Sequence, residues 1–173
     1  MKGGGKKMTD VETKQLFEKT VEEYSDMITG LCLVRLGNRH DAEDCYQTVF
    51  LKLFRNKEML YEEPEYLKSW LIRVAINECK NRFRFLSRHK TEPLSFADDC
   101  SIEIEDRSLL DSVMTLPEKY REVIYLFYYA GYSVLELATI LDSKENTIKS
   151  RLKRGRKMLK ELLTDKIDEE VII

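Results

Sequence analysis

The sequence predicts an all-α protein built as two small helical domains with an acidic linker between them. Three observations predict it. Apolar residues recur at three- and four-residue steps over most of the chain, which is the helical period. Gly and Pro number only 7 and 3 in 173 residues, too few for a turn-rich β architecture. The stretch 91–104 has no sustained period and many acids, so it reads as a connector between two periodic blocks.

The elements follow in order. Residues 1–8 carry no structural pattern and read as a disordered extension. Val11, Leu16, Phe17, Val21, Tyr24, Ile28 and Leu31 place a helix over 9–36, stopped by Gly37-Asn38. Asp41 can cap a second helix over 41–55, with Ala42, Cys45, Val49 and Leu53 on one stripe and Tyr46, Phe50 and Phe54 alongside. Residues 56–64 are polar and read as a loop whose Pro64 opens a third helix over 65–89. Together 9–90 make the first domain. The second, 105–163, starts with a short helix over 105–114. Leu116-Pro117 opens another over 117–130, ended by Gly131. Ser133-Val-Leu-Glu136 is a capping box for a helix reaching Leu141. Asp142-Ser143 is a tight break before the last helix, 144–163, and 164–173 reads as a frayed tail.

Composition removes several function classes. No apolar run approaches the ~18–20 residues of a membrane span, and the basic N-terminus lacks the apolar stretch of a secretory signal. A cytoplasmic protein is expected. Cys32, Cys45, Cys79 and Cys100 have no metal-knuckle spacing, and His40 and His89 are the other soft ligands. No metal or cofactor is expected, and Cys32, Cys45 and Cys79 read as core thiols. There is no phosphate-binding Gly loop, no His-Glu-x-x-His and no nucleophile motif, so an enzyme is not expected.

The net charge of −2 hides a pattern. Seven basic residues stand against one acid, Glu78, between Lys68 and Lys90. Eight stand against one acid, Glu145, between Lys144 and Lys160. Seven acids stand against one Arg between Glu92 and Asp111. Local positive faces, not a positive total, are what a nucleic-acid binder needs.

Residues 133–160 have the outline of a helix-turn-helix, a short capped helix followed by a turn and a basic helix. Ile148, Leu152, Gly155 and Leu159 form its packing stripe. Asn146, Ser150, Lys153, Arg154 and Lys157 lie opposite, flanked by Lys149, Arg151, Arg156 and Lys160. A merely solvated helix normally mixes signs to form i,i+4 pairs. Here unbalanced like charges call for an anion, and the side chains can bond base edges or phosphates.

The 65–89 helix carries a second strip. Arg73, Asn77, Lys80, Asn81, Arg84 and Arg88 fall within an arc of about 100°, with Trp70 beside it. Charge for phosphate, amides for base edges and a ring for stacking suit single-stranded bases. Trp70 is equally read as a core anchor.

Three segments in this order carry a resemblance. They are Asp41-Ala-Glu-Asp-Cys-Tyr-Gln-Thr-Val-Phe-Leu-Lys-Leu-Phe54, then Tyr66-Leu-Lys-Ser-Trp-Leu-Ile-Arg-Val-Ala-Ile-Asn-Glu-Cys-Lys-Asn-Arg-Phe83, then Leu116-Pro-Glu-Lys-Tyr-Arg-Glu-Val-Ile124 continuing to Thr147–Leu159. The chain resembles bacterial RNA polymerase sigma factors of the extracytoplasmic-function (ECF) group over about residues 10–163, the first two segments as region two and the third as region four. The resemblance implies that the second helix docks on the clamp coiled coil of the largest polymerase subunit through Asp44 and Gln47. Thr48 stands where the family usually has an acid. It implies that Asn77 and Asn81 bond extruded bases of the minus-10 element, with the 56–65 loop part of the pocket. It also implies that Thr147, Lys149, Ser150, Arg151, Lys153 and Arg154 meet the minus-35 element. Region four would sit on the flap of the second-largest subunit, the linker would run toward the RNA exit path, and a membrane-bound anti-sigma factor would regulate the chain. The opposed charges of linker and helices further suggest that the two domains pack together in the free chain and cover the DNA faces.

Two other readings stand beside this one. A stand-alone helix-turn-helix regulator explains 116–163 but leaves the 65–89 strip without a purpose. A helical scaffold requires both basic faces to be incidental.

Overall fold

The computed structural model describes residues 9–89 and 112–170, with side chains through 85 in the first stretch and 164 in the second. The 1–8 extension, the 91–104 linker and most of the expected 105–114 helix lie outside the described residues. Among the described residues every regular element is helical, as the periodicity predicts.

Helix α1 spans Asp10–Leu36. Thr9 caps it reciprocally: its hydroxyl accepts the Glu12 N–H at 3.3 Å, and the Glu12 carboxylate accepts the Thr9 N–H at 2.8 Å. Gly37 ends the helix in the left-handed region, φ 75°, with its N–H on the Leu33 carbonyl. Helix α2, Arg39–Arg55, begins two residues later. Its cap is Asn38, whose side chain accepts the Asp41 N–H at 2.8 Å. The expectation that Asp41 caps α2 is therefore wrong. Asp41 lies inside the first turn, buried, where its carboxylate accepts Arg82 Nε at 2.6 Å. A charged group in the bundle needs such a counter-ion.

The stretch expected as a loop contains a 3₁₀ turn, Lys57–Tyr61. Met59 and Leu60 are its reason, since both are buried against α1 and α2 and close the end of the bundle. Helix α3 starts at Pro64, as predicted, and reaches His89. The three helices pack mutually around Ile28, Leu31, Val34, Val49, Leu53, Leu71 and Ile72. Val11 and Phe54 were expected on packing stripes but are 65% and 53% exposed. Val11 is in the first turn of α1, and Phe54 meets Phe17 edge-on at 5.6 Å with Lys57 Nζ 5.3 Å from its ring centre. Cys32, Cys45 and Cys79, one from each helix, are buried and form a chain of thiol contacts. Hydrogen bonding to its neighbour and then burial push the Cys45 thiol pKa up, which disfavours its reactive thiolate.

The second module resumes in helical conformation over 112–114 and buries Val113 and Leu116 before Pro117. Helices α4 (Glu118–Tyr128), α5 (Val134–Ile140) and α6 (Glu145–Glu170) follow. Ser133 and Glu136 form the predicted capping box of α5. Asp142, at φ 47°, makes the tight turn into α6. Ile148 and Leu152 are buried on the inner stripe of α6. Gly155 lies on the same stripe, where a Cβ would stand 3.0 Å from Ile124 Cγ1, so this position sets how closely α6 approaches α4. The tail does not fray at Thr164. Helix α6 continues to Glu170, supported by the absence of any Gly or Pro after 155 and by the packing of Leu162 against the core.

The two modules pack together, with the C-terminal half of α1 against α4 and one continuous core through both. The expected burial of the basic faces does not occur among the described residues. The interface uses other surfaces, and both strips stay outside it.

Candidate nucleic-acid interface

Helix α3 is held on two sides by α1 and α2, so only a narrow strip faces outward. Arg73, Asn77, Lys80, Asn81 and Arg84 are all exposed on it. Arg88 continues the helix, but its side chain lies outside the described residues. Trp70 is half-buried and packs against the core, so it is an anchor with one face available. Tyr66, 55% exposed, lies one turn earlier on the same face and is not among the residues singled out from the sequence. Its signal was the spacing Tyr66, Trp70, Arg73, Asn77. The one acid of this segment, Glu78, is taken by Lys52 of α2 at 2.5 Å, which leaves the strip wholly basic and amide-bearing. Arg82 lies off the strip, turned toward Asp41 and Asp44.

Helix α6 presents a wider face. Asn146, Lys149, Ser150, Lys153, Arg154 and Lys157 are exposed, and Thr147 and Arg151 are half-buried at its margins. Glu145 pairs with Lys149 at 3.5 Å and Glu161 with Lys157 at 3.7 Å. Such exposed i,i+4 pairs are worth a few tenths of a kcal/mol, so they yield readily to a phosphate. Ser150 Oγ donates to the Asn146 carbonyl at 2.7 Å, which leaves its lone pairs for an incoming donor. The Arg154 guanidinium beside Tyr120 lowers the pKa of that phenol, and Lys119 Nζ lies 5.0 Å from the same ring.

The third surface is on α2. Gln47 is exposed, and Asp44 is half-exposed and paired with Arg82 at 3.5 Å and His40 at 3.9 Å. Leu51 and Phe54, 54% and 53% exposed, continue the same face at helical spacing. They were not assigned to a contact from the sequence, because an apolar helix position is by default read as core. A polar rim beside exposed apolar side chains is the composition of a protein-docking surface.

Among the described residues no group of three or more His, Cys, Asp or Glu side chains is arranged to hold a metal ion. No helix among them is long and apolar enough to cross a membrane.

Known proteins match this arrangement. The Sigma-70 region 2 family matches residues 20–89, and the Sigma-70, region 4 family matches 106–159. The ECF RNA polymerase sigma factor SigW of Bacillus subtilis is 31% identical over 168 residues, covering 86% of this chain and 89% of that protein. The ECF RNA polymerase sigma-E factor of Haemophilus influenzae is 29% identical over 166 residues, covering 84% and 86%. In fold, the chain is similar to the sigma factor RpoE of Bartonella quintana, solved with the anti-sigma factor NepR. The TM-score there is 0.69, with 23% identity and coverage of 86% and 96%. It is also similar to CnrH, solved with the cytosolic domain of CnrY, with TM-score 0.59, 21% identity and coverage of 90% and 96%. Two helical modules, each with an outward basic helix and each matched by its own sigma region in the same order, place this chain in the ECF group of RNA polymerase sigma factors, the proteins that direct promoter-specific transcription initiation.

Proposed function

We propose that the chain selects promoters by using α6 and α3 on two different forms of DNA. Helix α6 enters the major groove of the minus-35 element. Asn146, Thr147, Lys149, Ser150, Arg151, Lys153, Arg154 and Lys157 are its base and phosphate contacts. Helix α3 holds the non-template strand of the minus-10 element. Asn77 and Asn81 bond extruded bases, Trp70 and Tyr66 offer rings, and Arg73, Lys80, Arg84 and Arg88 meet phosphates. Extruding a base costs a few kcal/mol, and stacking at about 1–3 kcal/mol per base offsets it. Helix α2 docks on the clamp coiled coil of the largest polymerase subunit through Asp44, Gln47, Leu51 and Phe54, and the α4–α6 module sits on the flap. A membrane-held anti-sigma factor restrains the chain in the cytoplasm. The observation that carries this reading is the pair of exposed basic strips on separate modules, each with its internal acids already paired.

The test is transcription from genomic DNA by bacterial core polymerase with and without the purified chain. Discrete new starts sharing two upstream elements are expected. Tight duplex binding by the chain alone, without new starts, would replace this reading with a stand-alone helix-turn-helix regulator.

A further inference from the structure

We propose that Lys119 of α4 holds a backbone phosphate of the duplex that α6 enters, so that the second module grips DNA with a helix outside its helix-turn-helix. The inference rests on the reading of α6 above and adds a contact to it. The helix-turn-helix itself is α5 and α6, and Lys119 lies outside the basic block of 144–160. Packing brings it there. Gly155 of α6 faces α4, and a Cβ at that position would stand 3.0 Å from Ile124 Cγ1 and 3.5 Å from Tyr120 Cβ. Tyr120 is therefore laid against α6 at the turn that carries Arg154. Tyr120 is buried, whereas Lys119 and Arg154 are exposed. Lys119 Nζ lies 5.0 Å from the centre of the Tyr120 ring, within cation–π range. The ammonium is thus drawn to the side of α4 that meets α6. Arg154 first, and Lys119 after it, lower the pKa of the same phenol. Two cations from two helices converge on one ring.

Among the described residues no acid neutralises this pair. The two acids of α4 are turned elsewhere: Glu118 pairs with Arg35 of α1 at 3.3 Å, and Glu122 pairs with the same guanidinium. On α6, Glu145 and Glu161 are taken by Lys149 and Lys157. Neither Lys119 nor Arg154 forms an ion pair among the described residues. Like charges beside one ring repel until an anion faces them. Two features make that anion a phosphate rather than a base edge. Lysine is a compact point charge without the planar fork that reads bases or carboxylates in pairs. It also comes from α4, beside the groove-entering helix rather than on it. Phosphate contacts fix register and orientation on a duplex without reading its sequence. A phosphate on Lys119 therefore sets the angle at which α6 enters the groove.

The experiment measures duplex binding by the full chain, without polymerase, as salt is raised. Phosphate contacts do not depend on sequence, so the probes are two fluorescent duplexes of about 20 base pairs with unrelated sequences. The variants are Lys119→Gln and Lys119→Arg, with helicity verified by circular dichroism. Lys14→Gln, at an exposed lysine near the start of α1, controls for net charge. In Lys119→Gln the slope of log affinity against log salt is expected to become shallower by about 0.9, the value of one phosphate. Affinity at low salt should fall several-fold on both duplexes. Lys119→Arg should restore the wild-type slope, and Lys14→Gln should leave it unchanged. A wild-type slope in Lys119→Gln would overturn the proposal. So would an equal change in Lys14→Gln, or a loss confined to one duplex. A wild type without salt-dependent duplex binding would overturn the duplex reading of α6 itself, and the Lys119 contact with it, so the two failures are distinguishable.

Discussion

Helices α3 and α6 are both 26 residues long and both basic, yet they are built into the protein differently. Helix α3 is gripped by two other helices, and Glu78, one of its two acids with Glu65, is paired with Lys52 of a neighbour. What remains is a strip of basic side chains and amides with rings beside it. Helix α6 rests on α4 and α5 along a single stripe. Two of its acids, Glu145 and Glu161, pair with lysines of its own, and a broad arc stays open. A narrow strip with rings suits unstacked bases of a single strand. A broad basic face on a projecting helix suits a major groove about 12 Å wide. A basic face on two helices of equal length therefore does not mean equal function; the degree of embedding separates the two.

The largest expected effect breaks the support of one helix only. Leu152→Ala removes a buried side chain joining α6 to α4 and should destabilise the α4–α6 module by about 2–5 kcal/mol. Denaturant unfolding would read this, together with loss of minus-35 duplex binding. An equal loss of single-strand binding would mean that the two modules unfold as one unit.

A second set sharpens the contrast. Asn77→Ala and Trp70→Ala should each weaken binding of the holoenzyme to a single-stranded minus-10 probe by about 1–3 kcal/mol and leave a minus-35 duplex unaffected. Arg154→Ala should do the reverse, by about 1–3 kcal/mol. Fluorescence anisotropy on both probes checks the crossing, and parallel losses would erase the division of labour.

The smallest effect concerns the turn that aims α6. Ser133→Ala should cost about 1 kcal/mol by removing the cap of α5. The Ser133 hydroxyl and N–H hold the Glu136 carboxyl below its ordinary value of 4.5. Its contribution is therefore present above pH 4.5 and lost as pH falls through the lower folded-state value. Thermal melts across that range should show a shallower loss for Glu136→Gln than for the wild type.

Much of this was legible along the chain. Thr9, Gly37, Pro64 and the Ser133–Glu136 box lie within a few residues of the groups they cap or stop, so local chemistry is enough to place most helix boundaries. The strips on α3 and α6 follow from the 3.6 period. Asp41 misled because an acid near a helix start is ordinarily a cap; Asn38 took that place, and Asp41 was drawn to Arg82, 41 residues away. The 3₁₀ turn misled because Met59 and Leu60 are outnumbered by charged neighbours, and only the open end of the bundle explains their burial.

By itself, then, the sequence determined the helices, the order of the two modules, the basic faces and the family, because each rests on residues close together or on a fixed period. Only the tertiary structure decided which charges would be spent inside. Lys52 neutralises Glu78, Arg82 holds Asp41, and Arg35 meets Glu122 across 87 residues. Periodicity states which face of a helix is apolar but not which other helix will meet it. A charged residue on such a face announces a partner without naming one, and packing makes the choice.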